Sequence, residues 1–172
     1  GLKVYRQAKF TTGWYDLSHK DSKALRSAYE QTKHSKTNKK IYKGVEVLDK
    51  TLGIIGMGKI GLALGNKAES LGMKVIYNDL GGENKSIKYQ YYNLYELLRI
   101  SDFVSLHIPY DNKNGALIGK SELEIMKEGS FIINCARGRV IDEEALIEAL
   151  NNGHISGAGI DVFEGEPNVN IR

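Results

Sequence analysis

Short apolar runs alternate with helical patterns along most of the chain after residue 50. Runs rich in Ile and Val predict strands at Thr51 to Ile55, Met73 to Asn78, Phe103 to Ile108, Ser130 to Ala136 and Ile155 to Val162. Apolar positions spaced by three and four predict helices at Ile60 to Leu71, Leu94 to Ser101, Ser121 to Lys127 and Asp142 to Asn151. A short strand is also expected at the end of the polar connection 80–92. This alternation predicts an α/β fold, a parallel sheet with helices on both faces.

The first 43 residues have a different character from the rest. They carry 11 Lys and Arg against 3 Asp and Glu, a net charge of +8, whereas residues 44–172 carry a net charge of −5. Apolar spacing predicts one short amphipathic helix from Ser22 to His34. We therefore interpret residues 1–43 as a basic leader with a short helix and residues 44–172 as one domain. The lysines alternate with Ser, Thr and Asn and form no regular basic face, so we predict no nucleic-acid partner.

Composition narrows the class further. The 172 residues are 41% hydrophobic and include one cysteine, which excludes an internal disulfide and a thiolate zinc site. The four histidines show no ligand spacing, so no metal site is predicted. The chain has no apolar run of the roughly 18 residues that a membrane helix needs, and no signal-peptide core at its start. We expect a cytoplasmic protein without a membrane partner.

A glycine-rich loop carries the first chemical signal. Gly56-Met57-Gly58-Lys59-Ile60-Gly61 follows a predicted strand and opens a predicted helix. In that setting the glycines permit a tight turn, close approach of a pyrophosphate and close packing of helix on strand. Asp79 ends the next strand, 18 residues after Gly61, where a carboxylate can bind the adenosine ribose. The alternative role of Asp79 is a turn residue before Gly81-Gly82. No Arg follows Asp79 directly, so NAD is favoured over NADP.

Two further candidates lie in the second half of the chain. Arg137 follows the apolar strand that ends near Ala136, and its guanidinium could pair with a substrate carboxylate. A phosphate-binding role or a surface ion pair suits the nearby Arg139 better. Glu166 precedes Pro167, which favours an extended backbone. Its carboxylate could orient a histidine for acid–base catalysis, or it could be a solvated loop acid.

Four motifs in their order along the chain make the pattern specific. Gly-Met-Gly-Lys-Ile-Gly, Ser-Asp-Phe-Val-Ser-Leu-His-Ile-Pro, Asn-Cys-Ala-Arg-Gly and Gly-Ala-Gly-Ile-Asp-Val-Phe-Glu-Gly-Glu-Pro resemble the NAD domain of D-isomer-specific 2-hydroxyacid dehydrogenases. The similarity runs from about Asn38 to Asn168. Among family members the chain most resembles the D-3-phosphoglycerate dehydrogenases. The resemblance implies a Rossmann-type doubly wound parallel sheet.

The resemblance also implies roles for particular residues. Arg137 would bind the carboxylate and carbonyl of the substrate, and Glu166 would pair with the catalytic histidine of the family, which is expected beyond Arg172. His107 would pack or position the backbone rather than replace that histidine. The residues implied to contact the cofactor are Gly56, Gly58, Lys59, Ile60, Gly61, Asp79, His107, Ile108, Pro109, Cys135, Ala136, Arg137 and Asp161.

The activity implied by the resemblance is hydride transfer between NAD and a D-2-hydroxyacid. D-3-phosphoglycerate is the expected substrate, as in the first step of serine biosynthesis. A lactate, glycerate or hydroxyglutarate type of dehydrogenase stays open, as does a non-enzymatic, corepressor-like NAD-binding protein. The family's substrate-binding domain is expected to be absent from this chain, so we expect the chain alone to be inactive. A homodimer through the NAD-binding domain is also implied.

Overall fold

The computed structural model describes residues 4–5 and 45–164. The chain divides into two compact units, one formed by Gly1–Gln7 with Val47–Arg172 and the other by Ala8–Glu46. The strands and helices given below belong to the first unit. The predicted helix from Ser22 to His34 lies outside the described residues, and so does Glu166.

Strands and helices follow the predicted alternation closely. The strands are β1 (Val4–Tyr5), β2 (Thr51–Ile55), β3 (Lys74–Asn78), β4 (Gln90–Tyr91), β5 (Phe103–Leu106), β6 (Ser130–Asn134) and β7 (Ile155–Ile160). The described helices are α1 (Lys59–Ser70), α2 (Leu94–Ile100), α3 (Lys120–Ile125) and α4 (Glu143–Asn151). All five predicted strands and all four predicted helices in this region are present, and β4 is the short strand expected near residue 90.

The seven strands form one sheet in the order β1-β7-β6-β5-β2-β3-β4, and each neighbouring pair is parallel. Strand β2 lies inside the sheet, and the chain proceeds from it to β3 and β4 on one side. It then crosses back to β5, β6 and β7 on the other side. The loops that follow β2 and β5 therefore diverge at the carboxyl edge. This divergence creates the crevice in which doubly wound sheets bind ligands.

The two faces of the sheet have separate apolar cores. On one face Leu52 and Ile54 of β2 pack with residues of β3 and with Ala68 of α1. On the other face Ile55 joins a larger cluster, to which α2, α3 and α4 contribute Leu97, Leu123 and Leu146, among others. The alternation along β2 thus points successive side chains to opposite cores. The prediction of a parallel sheet with helices on both faces is confirmed.

The predicted strands β5, β6 and β7 were each two residues too long at the carboxyl end. Ile108 and Ala136 are only 9% exposed, so their apolar character continued the strand pattern into the loops. Both residues lie in the loops and are buried without continuing the ladder. The sequence pattern predicts no element at Val4–Tyr5, because a two-residue strand is too short to show a period. This strand pairs with β7 in register Val4 to Ala158.

A charged residue fastens the opposite, amino edge of the sheet. The Asp102 carboxylate accepts hydrogen bonds from Thr51 N at 2.8 Å and from Lys127 Nζ at 2.6 Å. Burial favours a higher pKa for Asp102, but the hydrogen bonds from Lys127 and from the Thr51 backbone outweigh it and lower the pKa below its ordinary 3.8. The start of β2 is therefore held to the start of β5 by an ionised carboxylate.

Candidate functional site

At two of the three glycines in the loop, close packing leaves no room for a side chain. Gly56 has a φ of +95°, in the left-handed region, and a methyl group there would lie 2.6 Å from the carbonyl oxygen of His107. At Gly61, on the first turn of α1, a methyl group would lie 2.2 Å from the carbonyl oxygen of Gly56. Both positions exclude a side chain for steric reasons. These are the tight turn and the close contact of helix and strand that the motif predicts.

Gly58 differs because the space beside it is open. It is the N-cap of α1 with an extended backbone, and within residues 45–164 no atom beyond its two chain neighbours lies within 4 Å of where its Cβ would be. Helix α1 begins at Lys59 with no acidic residue in its first turn. The first N–H groups of the helix have no intrahelical acceptors and carry the positive end of the dipole. The open space at Gly58 therefore suits an anionic group such as a pyrophosphate.

The first turn of α1 also exposes the two other residues predicted to border the cofactor. Lys59 is exposed, and Ile60 is 71% exposed although it is apolar. An apolar side chain this exposed beside a helix N-terminus is available to a ligand.

Asp79 is bound to the glycine loop itself. Its Oδ2 accepts a hydrogen bond from Met57 N at 2.8 Å, and its Oδ1 accepts one from Gly81 N at 2.9 Å. The second hydrogen bond closes the turn at Gly81-Gly82, which was the alternative role considered for Asp79. Each carboxylate oxygen keeps a further lone pair, so the side chain can still accept hydroxyl donors from a ribose. The link to Met57 could not be predicted because it involves a backbone amide.

The segment after β5 closes the other side of the crevice. His107 N donates to Ile55 O at 2.8 Å, and its ring Nε2 lies 2.9 Å from Ser105 Oγ. Burial lowers the pKa of His107 below its ordinary 6.5, so the ring is neutral at pH 7. Ile108 is buried and Pro109 is exposed. This geometry suits the packing and backbone-positioning role predicted for His107.

The loop after β6 presents Arg137. Arg137 is exposed, and its Nη1 donates to the carbonyl oxygen of Ala136 at 2.6 Å. Among residues 45–164 no carboxylate forms an ion pair with Arg137, whereas Arg139 Nε lies 3.0 Å from Glu164 Oε1. The structural ion pair therefore belongs to Arg139, as expected.

The loops after β6 and β7 meet beside Arg137. Asp161 N donates to Asn134 O at 3.0 Å. Burial raises the pKa of Cys135, and the nearby Asp161 carboxylate raises it further, so the thiol is protonated at pH 7. Gly138 has no space for a side chain, because a methyl group there would lie 2.3 Å from Phe163 O. The segment that leads towards Glu166 is thus held against the loop that carries Arg137.

The structure places the described candidate residues at one edge of the sheet, in the loops after β2, β3, β5, β6 and β7 and in the first turn of α1. Two residues that shape these loops, Asn134 and Gly138, are not among the predicted site residues. Asn134 is 2% exposed, and Gly138 lies against the backbone of Phe163. The signal for Asn134 was a polar residue at the end of a buried apolar strand, and the signal for Gly138 was a glycine directly after a candidate arginine.

Comparison with known sequences identifies the family. Residues 17–171 match the profile described as D-isomer specific 2-hydroxyacid dehydrogenase, NAD binding domain. The chain belongs to this family. It is 44% identical over 127 residues to a glyoxylate reductase of Korarchaeum cryptofilum, and 39% identical over 140 residues to a D-3-phosphoglycerate dehydrogenase of Methanocaldococcus jannaschii. These alignments cover 72% and 78% of this chain but only 38% and 26% of the two relatives.

The fold comparison agrees with the family. The structure of a D-lactate dehydrogenase from Aquifex aeolicus, complexed with NAD and lactic acid, superimposes with a TM-score of 0.73 at 35% identity. The match covers 84% of this chain and 44% of that one. This chain therefore spans less than half the length of these dehydrogenases, and it corresponds to their NAD-binding domain.

Proposed function

We propose that the chain is the NAD(H)-binding part of a dehydrogenase that moves hydride between the cofactor and a D-2-hydroxyacid or its 2-oxo acid. The observation that carries the proposal is the crevice between the loops after β2 and β5. There, the open side of Gly58 adjoins the N-terminus of α1, and the Asp79 carboxylate is already fixed to the same loop. The crevice matches a group that has a diphosphate next to a ribose.

Each protein group then has a task that follows from its chemistry. Bound NAD supplies a nicotinamide ring that accepts or donates hydride. The amides of the first turn of α1 would hold the pyrophosphate, and Asp79 would accept hydrogen bonds from ribose hydroxyls. Arg137 would bind the substrate carboxylate through two parallel N–H groups and polarise the adjacent carbonyl. The pairing of Glu166 with a catalytic histidine stays a prediction, as does a position for that histidine beyond Arg172.

The residues beside Asp79 favour NAD over NADP. A 2′-phosphate would approach the negative carboxylate of Asp79, and the following residues Leu80, Gly81 and Gly82 offer no positive charge. Coulomb repulsion at close range in a partly buried crevice opposes that approach. We therefore propose NAD as the natural cofactor.

The test of cofactor binding is a titration of this chain with NADH, followed by fluorescence. Charge reversal by Asp79→Lys removes both the ribose acceptor and the hydrogen bond to Met57 N. We expect it to weaken binding by at least about tenfold, the loss typical of a charged hydrogen bond. Glu128→Lys is the matched control, because it makes the same charge change at an exposed position near the amino edge of the sheet. Equal affinities in the two variants would refute the assignment of the crevice.

The substrate is a separate question. D-3-phosphoglycerate stays a prediction, and its support is the similarity to a D-3-phosphoglycerate dehydrogenase. The similarity to a glyoxylate reductase supports a different substrate. A panel of glyoxylate, hydroxypyruvate, pyruvate and 3-phosphohydroxypyruvate, assayed by NADH oxidation with the complete enzyme, distinguishes the candidates. A preference for the phosphorylated acid supports D-3-phosphoglycerate and serine biosynthesis. NADH binding without turnover of any 2-oxo acid would favour the corepressor-like alternative.

Two further expectations concern the setting of the protein. We propose a homodimer formed through this domain, which light scattering tests, and a cytoplasmic location, which fractionation tests. Over residues 4–5 and 45–164, none of the helices has the length and apolar character that a bilayer crossing requires.

A further inference from the structure

Asn134 is a buried polar residue at the point where β6 ends and the loop with Arg137 begins. It is 2% exposed. Its Nδ2 donates to Arg137 O at 3.0 Å, and its Oδ1 accepts from Ala136 N at 3.1 Å. The side chain therefore closes the loop on itself through both of its polar atoms.

The same residue also connects this loop to the next one. The backbone carbonyl of Asn134 accepts a hydrogen bond from Asp161 N at 3.0 Å. Strand β6 itself is paired on both sides, with β5 and with β7, so Asn134 is anchored in the rigid part of the sheet. The backbone of Arg137 and the start of the Asp161 segment thus take their positions from one anchored residue.

We propose that Asn134 is the positioning residue for Arg137: its carboxamide fixes the loop backbone from which the guanidinium reaches the substrate carboxylate. This inference rests on the proposed function. Arg137 forms no ion pair with residues 45–164, and its own hydrogen bond is to the neighbouring Ala136 carbonyl. The place of its guanidinium therefore depends on where the loop backbone is held.

The chemistry of the site explains why an asparagine is needed. One planar group must donate to a carbonyl and accept from an N–H at the same time, and at neutral pH the asparagine amide does both whereas a carboxylate only accepts. Aspartate of the same shape keeps the acceptor but places an oxygen against the Arg137 carbonyl. Alanine leaves both backbone groups without this partner, Ala136 N in a buried place and Arg137 O in a partly buried one, and the loss of a buried partner costs more than an exposed loss.

The test compares Asn134→Ala with Asn134→Asp in the complete enzyme. We expect Asn134→Ala to raise KM for the 2-oxo acid and to lower kcat/KM by about 5- to 100-fold, because two hydrogen bonds that hold the loop are lost and each costs this order of free energy when buried. ADP-ribose, which lacks the nicotinamide, should bind with wild-type affinity because its site is formed by the loops after β2 and β3. Asn134→Asp should recover activity as the pH is lowered, because the protonated carboxyl can again donate to Arg137 O.

Two comparisons separate positioning from general loss of stability. Ser101→Ala removes a buried hydroxyl that donates to Leu97 O at 2.7 Å, near the opposite edge of the sheet. It should lower Tm and leave KM for the 2-oxo acid unchanged. In an Arg137→Ala background, Asn134→Ala should have little further effect on kcat/KM, since residues that act as one unit are not additive.

The outcomes are distinct. If Asn134→Ala changes KM no more than Ser101→Ala, or if its effect is the same with and without Arg137, the positioning role is wrong. If the wild-type enzyme reduces no 2-oxo acid although it binds ADP-ribose, the proposed dehydrogenase function fails, and the role of Asn134 fails with it.

Discussion

Replacement of Gly61 by alanine tests the central packing contact of the cofactor loop. The new methyl group would lie 2.2 Å from Gly56 O, more than 1 Å inside an ordinary contact of about 3.5 Å. The obstacle is a backbone carbonyl, so it cannot move aside as a side-chain end would. Overpacking costs about 1 to 3 kcal/mol, whereas glycine to alanine in a helix usually gains about 0.5 to 1 kcal/mol. Since α1 must shift as a unit, we place the net loss at about 2 kcal/mol.

Urea unfolding monitored by circular dichroism measures this loss of unfolding free energy. In a thermal melt, Tm should fall by roughly 4 to 8 °C. Gly58→Ala is the matched variant, because its methyl group would have no atom within 4 Å among the described residues other than its chain neighbours. It should leave the free energy of unfolding within about 0.5 kcal/mol of wild type. It should nevertheless weaken NADH binding, because the methyl group occupies the space proposed for the pyrophosphate. Gly61→Ala of wild-type stability would refute the packing argument, and Gly58→Ala of wild-type affinity would refute the placement of the cofactor.

Three further predictions test other parts of the structure. Asp102→Asn should lower stability at pH 7, and its deficit should vanish in acid, because the wild type loses the stabilisation as pH falls through the lowered pKa of Asp102. The check is urea unfolding across pH. His107→Gln should make the free energy of unfolding less dependent on pH below 6.5. In the wild type, the pKa of His107 is lower in the folded protein than in the unfolded chain, so the unfolded chain binds the proton more readily and the protein loses stability as the pH falls below 6.5. An unchanged slope would contradict the burial of this ring. Gly138→Ala should cost about 2 kcal/mol, since its methyl group would meet Phe163 O at 2.3 Å. A Gly138→Ala variant that melts at the wild-type temperature would contradict this prediction.

The fold was predictable because its determinants are periodic and local. In β2 and α1, apolar spacing and the glycine loop fix the type of element, and the strand–helix alternation then fixes a parallel sheet. The carboxyl ends of β5, β6 and β7 were not predictable to the residue. Apolar side chains such as Ile108 are buried beneath the loops, and burial gives the same sequence signal as pairing.

Residue type and spacing were enough to propose the roles of Asp79 and Arg137, because each side chain carries its own charge. Those roles stay predictions. The missing parts are contacts to the backbone. The hydrogen bond from Met57 N to Asp79, and the two bonds of Asn134, depend on how loops distant in sequence meet at the edge of the sheet. Residue types alone do not encode these meetings.

These backbone contacts bear on how the site works. The glycine loop is tied to Asp79, the segment after β5 to Ile55, and the loop after β6 to Asn134, each by hydrogen bonds within the protein. A ligand that enters finds donors and acceptors already ordered, so binding need not pay the entropy of ordering them. Arg137 is the exception, since it is exposed and without a carboxylate partner among residues 45–164. The ordered groups suit the proposed cofactor, and the exposed Arg137 guanidinium suits the proposed, negatively charged substrate.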